Sequence, residues 1–252
     1  MVTQWLGKMS NNKVIKPYNK NKTSKKEEVK EMFNNISKRY DFLNHFLSFG
    51  IDKIWRKKAI KVLGEVKPKK ILDVATGTGD FAIASLKLNP EEVIGVDISN
   101  GMLNLGKIKI KRKGFDSIIK MHIGDSENLS YESNYFDGLT VGFGVRNYEN
   151  LEKGLADMLR VIKPGGKIVI LEFSKPKQLI VKTIFGFYSR VFIPFFGKLF
   201  SKDKRAYQYL PESVAFFPEG QEFLDIMVKV GYNNVKSQYV SFGIATIYSG
   251  IK

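Results

Sequence analysis

Hydrophobic positions change their spacing along the chain, and the change divides it. Over Glu27–Leu47 the apolar residues Val29, Met32, Phe33, Ile36, Tyr40, Leu43 and Leu47 recur every three or four positions. That spacing lines one face of a helix and predicts an amphipathic helix or two. A further helix is expected over Asp52–Leu63, with Ile54, Trp55, Ala59, Ile60 and Leu63 inward and Gly64 and Pro68 ending it. From Lys70 onward, short apolar runs alternate with helical patterns. Strands are expected at Lys70–Ala75, Glu92–Ile98, Ile118–Ile123, Phe136–Phe143 and Gly166–Phe173. Helices are expected to about Leu88, through Ile110 and over Leu151–Ile162. Such alternation means a parallel sheet with helices on both faces. After a helix at 219–230, Asn234–Phe242 and Ile244–Ile251 are separated only by Gly243, which predicts an antiparallel hairpin.

Charge changes this picture at two places. The formal net charge is +16, and residues 1–30 and 175–205 supply 13 of it. Residues 1–26 lack hydrophobic periodicity and read as a basic mobile tail. Two local basic zones suit anionic lipid or nucleic acid, whereas a nucleic-acid protein more often spreads charge over a face. Cysteine is absent, which removes disulfides, cysteine nucleophiles and thiolate metal sites. With only His45 and His122, no metal is expected. No uncharged apolar run approaches the ~18–20 residues of a membrane span. The N-terminus has no apolar core of signal-peptide length, so a cytoplasmic location is expected.

The candidate chemistry sits where strands end. Asp73-Val-Ala-Thr-Gly77-Thr78-Gly79-Asp80 joins the first strand to the first helix of the alternating region. Glycines there let the backbone turn sharply and approach a ligand. Asp97 ends the second strand, placed to accept hydrogen bonds from the ribose hydroxyls of an adenosine. These features point to an adenosine cofactor but leave NAD and S-adenosylmethionine open, because Gly77–Ala82 also satisfies the dinucleotide pattern. Three features favour the methyl donor. Asp73 is placed to receive the methionine ammonium. Asp125 and Ser126, after Gly124, can bind the adenine. Lys163-Pro-Gly-Gly166 is a turn of the kind associated with class I methyltransferases.

Two segments carry a stronger resemblance. One is Tyr40-Asp41-Phe-Leu-Asn44-His-Phe-Leu-Ser48-Phe-Gly-Ile-Asp52-Lys-Ile-Trp55-Arg56, and the other is Arg160-Val-Ile-Lys163-Pro-Gly-Gly-Lys-Ile-Val-Ile-Leu-Glu172-Phe-Ser174. Phe143-Gly144-Val-Arg146-Asn147 is a third matching stretch. From about Lys26 to its end the chain resembles the quinone-biosynthesis C-methyltransferases, which methylate demethylmenaquinol or the related ubiquinone precursor. It departs from their pattern at Leu43, where Met is usual, and at Asp52, where His is usual.

The resemblance implies a class I S-adenosylmethionine-dependent methyltransferase fold. That is a Rossmann-like α/β architecture with a seven-stranded, mostly parallel sheet, an antiparallel C-terminal hairpin strand and an N-terminal helical cap. The implied organisation is a tail at 1–26 followed by a single domain over 27–252. Within it come N-terminal helices (27–66), a cofactor-binding core (67–175), an aromatic and basic lid (176–218) and a C-terminal helix and hairpin (219–252). The implied cofactor contacts are Thr78, Asp97, Asp125 and Ser126, beside Asp73, Gly77 and Gly79 from the turn.

The implied reaction moves a methyl group from sulfonium to a quinol ring carbon, most readily demethylmenaquinol, with the ubiquinone-pathway benzoquinol as the alternative. The carbon attacks when its neighbouring hydroxyl loses a proton, so the enzyme must favour an oxyanion and align the reacting atoms. Arg146 and Asn147, after the fourth strand, are the expected catalytic groups: Arg146 stabilises the oxyanion or, on the plainer reading, pairs with a carboxylate. Residues 178–217 hold eleven Phe and Tyr among basic residues. They suggest a lid that admits a polyprenyl tail and touches the anionic inner face of the membrane. A homodimer is left open. An RNA methyltransferase is disfavoured because no Pro-Pro dipeptide follows the fourth strand. A dehydrogenase remains a third reading.

Overall fold

The computed structural model describes residues 15–48, 50–178, 181, 183, 186 and 203–252. Its helices are α1 (Lys25–Leu47), α2 (Ile51–Leu63), α3 (Asp80–Ser85), α4 (Asn100–Arg112), α5 (Leu151–Val161), α6 (Lys204–Phe216) and α7 (Gln221–Val230). The strands are β1 (Lys70–Val74), β2 (Glu92–Asp97), β3 (Ile119–Ile123), β4 (Phe136–Gly142), β5 (Ile162–Phe173), β6 (Asn233–Val240) and β7 (Ala245–Ile251). They form one seven-stranded sheet in the order β3-β2-β1-β4-β5-β7-β6. The first five run parallel, and β7 pairs antiparallel with both β5 and β6.

Central strands read as near-continuous apolar runs because both faces are covered. Alternate residues feed two cores. Leu72 and Val74 face the cluster built with Leu155, Met158, Phe223 and Met227 of α5 and α7. Ile71, Val169 and Leu171 face Trp55, Ala59 and Leu63 of α2 and Phe81 of α3. A third cluster joins Val29, Met32 and Ile36 of α1 to Met102 of α4 and to Ala206 and Tyr209 of α6. The outer strand β6 is mostly exposed and polar, which blunts a sheet edge. The order of strands reverses direction between β1 and β4, and ligands bind in such a crevice at the strands' carboxyl ends.

Three expectations need correction. Ile54, placed inward from the sequence, is 55% exposed, and the buried stripe of α2 takes in Asp52 instead. Asp52 is tolerated there because Ser48 and Arg56 both donate to it. The hairpin connection is a 3-10 turn over Ser241–Gly243, not Gly243 alone. Residues 15–24, assigned to a mobile tail, pack back on the body. Glu28 accepts from Tyr18 N at 2.6 Å, Lys20 N at 2.8 Å and the Thr23 hydroxyl at 2.7 Å. Ile15 and Tyr18 pack against the third cluster.

Most of the lid expectation, 176–218, lies outside the described residues. Of its aromatic side chains, Tyr209 and Phe217 are buried in the cores and Phe216 is exposed.

Candidate active site

A cleft opens at the β1–β4 switch point. Its wall is made by Ala75 and Gly77 after β1, Asp97 and Ile98 after β2, and Gly124–Glu127 after β3. Gly142–Gly144 and Asn147 after β4 complete the sheet side. The turn after β1 is built on left-handed backbone at Ala75, Gly77 and Gly79, with φ of 52°, 57° and 85°. A Cβ at Gly77 would meet nothing within 4 Å, so bare backbone is presented there.

Asp97 organises this turn. Its Oδ2 accepts from Gly77 N and its Oδ1 from Ser99 N, both at 2.8 Å. Each carboxylate oxygen has a second lone pair, so the group can still receive two hydroxyl donors. Burial pushes its pKa up, against the hydrogen bonds from Ser99, Gly77 and Ile98. Asp125 accepts from Glu127 N at 2.9 Å and from Lys26 Nζ at 2.7 Å. Ser126 lines the cleft beside it.

Asp73, Thr78 and Gly79 stand apart from this wall. Asp73 has no exposed surface, and its oxygens accept from the Thr76 and Thr140 hydroxyls and from Ala82 N. Its carboxylate thus braces the turn from behind. Burial pushes its pKa up to about 6, although those three donors favour the charge. The Thr78 hydroxyl donates to Asp41 and accepts from Lys109 Nζ at 2.9 Å. Gly79 faces Ile110 and Met121.

The expected catalytic pair divides. Asn147 lines the cleft, 7% exposed, and its Oδ1 has no hydrogen-bond donor. Arg146 is absent from the cleft wall. Its Nη1 donates to Glu172 Oε1 at 2.7 Å and to the Phe143 carbonyl. Glu172 has no exposed surface, and burial raises its pKa despite Arg146 beside it. Arg146 therefore takes the carboxylate-paired arrangement, while its Nε is buried without a partner.

Helix α1 closes the remaining side. Lys26, Val29 and Phe33 line the cleft, and Lys25 Nζ donates to the carbonyls of Arg146 and Tyr148 at 3.1 and 2.8 Å. Asn34 Oδ1 receives Ser99 Oγ and Gly101 N at 2.8 and 2.9 Å. Sequence reasoning missed Lys26 and Glu172. Glu172 had a signal, since it is the one carboxylate in the apolar run Ile168–Phe173. Lys26 had none, because its partner lies on a distant strand end.

The cleft fits an adenosylated methyl donor: acceptors at Asp97, apolar Ile98 and Met102 to flank a base, and bare backbone at Gly77. Among the described residues, no cluster of three His, Asp or Glu side chains could hold a metal. Solved structures share the fold. An S-adenosylmethionine-dependent methyltransferase from Thermotoga maritima aligns over 88% of this chain and 99% of its own, with a TM-score of 0.59 at 18% identity. The [4+2]-cyclase SpnF aligns over 90% of this chain and 96% of its own, with a TM-score of 0.63 at 13% identity.

Sequence relatives are nearer. Demethylmenaquinone methyltransferase of Bacteroides fragilis is 48% identical over 94% of this chain and 97% of that protein. Ubiquinone/menaquinone biosynthesis C-methyltransferase UbiE of Geobacter sulfurreducens is 44% identical over 91% and 90%. The family model for ubiE/COQ5 methyltransferases matches residues 21–252. With a family match spanning residues 21–252 and relatives this similar over nearly their whole length, the chain belongs to the ubiE/COQ5 methyltransferase family.

Proposed function

We propose that the protein transfers a methyl group from S-adenosylmethionine to a ring carbon of a polyprenylated quinol, with demethylmenaquinol as the preferred substrate. The observation that carries this reading is the 48% identity, over nearly the full length of both chains, to a protein named demethylmenaquinone methyltransferase. The name UbiE on other relatives keeps the ubiquinone-pathway benzoquinol as the second substrate.

S-adenosylmethionine, when bound, supplies an electrophilic methyl group on a sulfonium that already leaves well. The chain's own residues do the rest. Asp97 holds the ribose through its free lone pairs, and Asp125 and Ser126 hold the base. Asn147 Oδ1, buried and lacking a donor, receives a quinol hydroxyl and so orients the ring. Arg146, held by Glu172 behind the cleft wall next to Asn147, adds a fixed positive charge that favours the anionic form of the quinol oxygen. The hydroxyl proton leaves to solvent as the carbon attacks, and loss of the hydrogen on the methylated carbon then restores the aromatic quinol. Burial of the cleft keeps these groups strong by lowering the local dielectric.

A polyprenyl substrate resides in lipid, so the protein works at the inner face of the membrane, through residues 178–205 and the N-terminal tail. Among the described residues no helix is long and apolar enough to cross a membrane. The test is methyl transfer from a methyl-deuterated donor to reduced demethylmenaquinone, with the label located by NMR. A label on a ring carbon supports the reading, and one on oxygen, or none, refutes it.

A further inference from the structure

Tyr209 of α6 is 2% exposed, yet its hydroxyl has no hydrogen-bond partner. A buried phenol in that condition costs stability that a phenylalanine would not. Its surroundings lie beside the cleft. Tyr209 packs in one cluster with Val29 and Met102, both of which also line the cleft. Helix α6 packs on the Val145–Asn147 turn. The charges of Arg146 and Glu172 both act on the phenol. That turn also carries two more buried atoms without partners, Arg146 Nε and Asn147 Oδ1. The Tyr148 hydroxyl, next along the chain and in the cleft wall, is a further one, so the unpartnered atoms near α6 include donors at Tyr209 and Arg146 Nε and an acceptor at Asn147 Oδ1. Among the described residues no group answers them, which is the condition a bound ligand would relieve.

We propose that Tyr209 binds the substrate, donating its phenolic hydrogen to the quinol oxygen next to the methylated carbon and sharing that oxygen with Arg146. The inference rests on the quinol reading above and extends it to a residue outside the cofactor cleft. A quinol offers what the set lacks: a ring oxygen that gains charge, and a hydroxyl for Asn147. Burial drives the phenol pKa far above its ordinary value, so Tyr209 keeps its proton and remains a donor throughout the working pH range.

The test compares Tyr209→Phe with Tyr232→Phe in the full-length protein. Tyr232 is the counter-case, a buried tyrosine whose hydroxyl donates to the Leu155 carbonyl at 3.0 Å. Thermal unfolding, calorimetric S-adenosylmethionine binding and steady-state turnover of a short-tailed reduced demethylmenaquinone are measured on each. Tyr209→Phe should unfold at the same or a higher temperature than wild type and bind the cofactor normally. Its turnover should fall about 10²-fold, the scale of one lost oxyanion donor. The limb of its pH–rate profile that reports quinol ionisation should move to higher pH. Tyr232→Phe should do the reverse, losing thermal stability and keeping turnover. Tyr209→Phe turnover close to wild type overturns the proposal, as does a turnover loss matched by lost cofactor affinity. If wild type methylates no quinol, the functional reading fails and takes this inference with it. An active wild type beside an active Tyr209→Phe refutes Tyr209 alone.

Discussion

Glu172 receives Arg146 Nη1 at 2.7 Å, with the two side chains 0% and 8% exposed. An ion pair this withdrawn is costly to break and less costly to delete, because removing one partner leaves the other charge buried alone. Glu172→Leu should therefore destabilise the fold by about 3–5 kcal/mol, and Arg146→Leu by a similar amount. The double variant should recover most of that loss in denaturant titrations. Turnover should stay down by about 10²–10³ in the double variant, because the oxyanion has lost its cation. Recovery of activity along with stability would make the pair purely structural.

Asp97 is the acceptor on which the adenosine assignment rests. Asp97→Ala should weaken S-adenosylmethionine binding by about 1–3 kcal/mol, the value of a charge-assisted acceptor. Calorimetry on the folded variant reads this directly, and unchanged affinity would remove the assignment.

Asp73 predicts a pH dependence. Its carboxyl is pushed up to about 6 in the folded protein, against an unfolded value of about 3.9. The folded state thus holds this proton more tightly, so the group lowers stability as pH rises from about 4 to about 6, by on the order of 2–3 kcal/mol. Above that range its contribution is constant. Asp97 and Glu172 shift in the same direction, so the comparison must be between variants. Asp73→Asn should show a shallower fall in unfolding free energy over this window. An identical slope in both proteins would contradict the assignment.

Membrane attachment should be electrostatic first and apolar second. Each Lys or Arg engaged with anionic lipid contributes about 1 kcal/mol, and inserted aromatics add a part that salt does not screen. Sedimentation with vesicles should show binding that needs anionic lipid and weakens at high salt without vanishing. Replacing Arg190 and Lys198 by Glu should slow turnover of long-tailed quinols and spare short-tailed ones. Equal loss on both substrates would assign this segment to the active site instead.

The strands were legible because both their faces are buried: Ile168–Leu171 is an unbroken apolar run and Ile71–Val74 is interrupted only by Asp73. The meeting of Gly77 with Asp97 was legible as well, since it follows from turns at the ends of adjacent strands. What escaped is tertiary. The Glu28 carboxylate folds residues 18–23 back on α1, yet locally those residues read only as polar. Lys26 meets Asp125 across 99 positions, and Arg146 meets Glu172 across two strands' ends. Ile54 lost its inward place because helical phase, not hydrophobicity, decides which side of α2 is covered.

Carbon methylation of a quinol is read by incubating the protein with S-adenosylmethionine and, separately, reduced demethylmenaquinone, oxidised demethylmenaquinone and the ubiquinone-pathway benzoquinol, with products resolved by mass. The reduced naphthoquinol should give a methylated product, its oxidised form little or none, and the benzoquinol a slower turnover. Equal rates on oxidised and reduced demethylmenaquinone, or no product from either, would contradict it, because the ring carbon attacks only while its neighbouring oxygen can give up a proton.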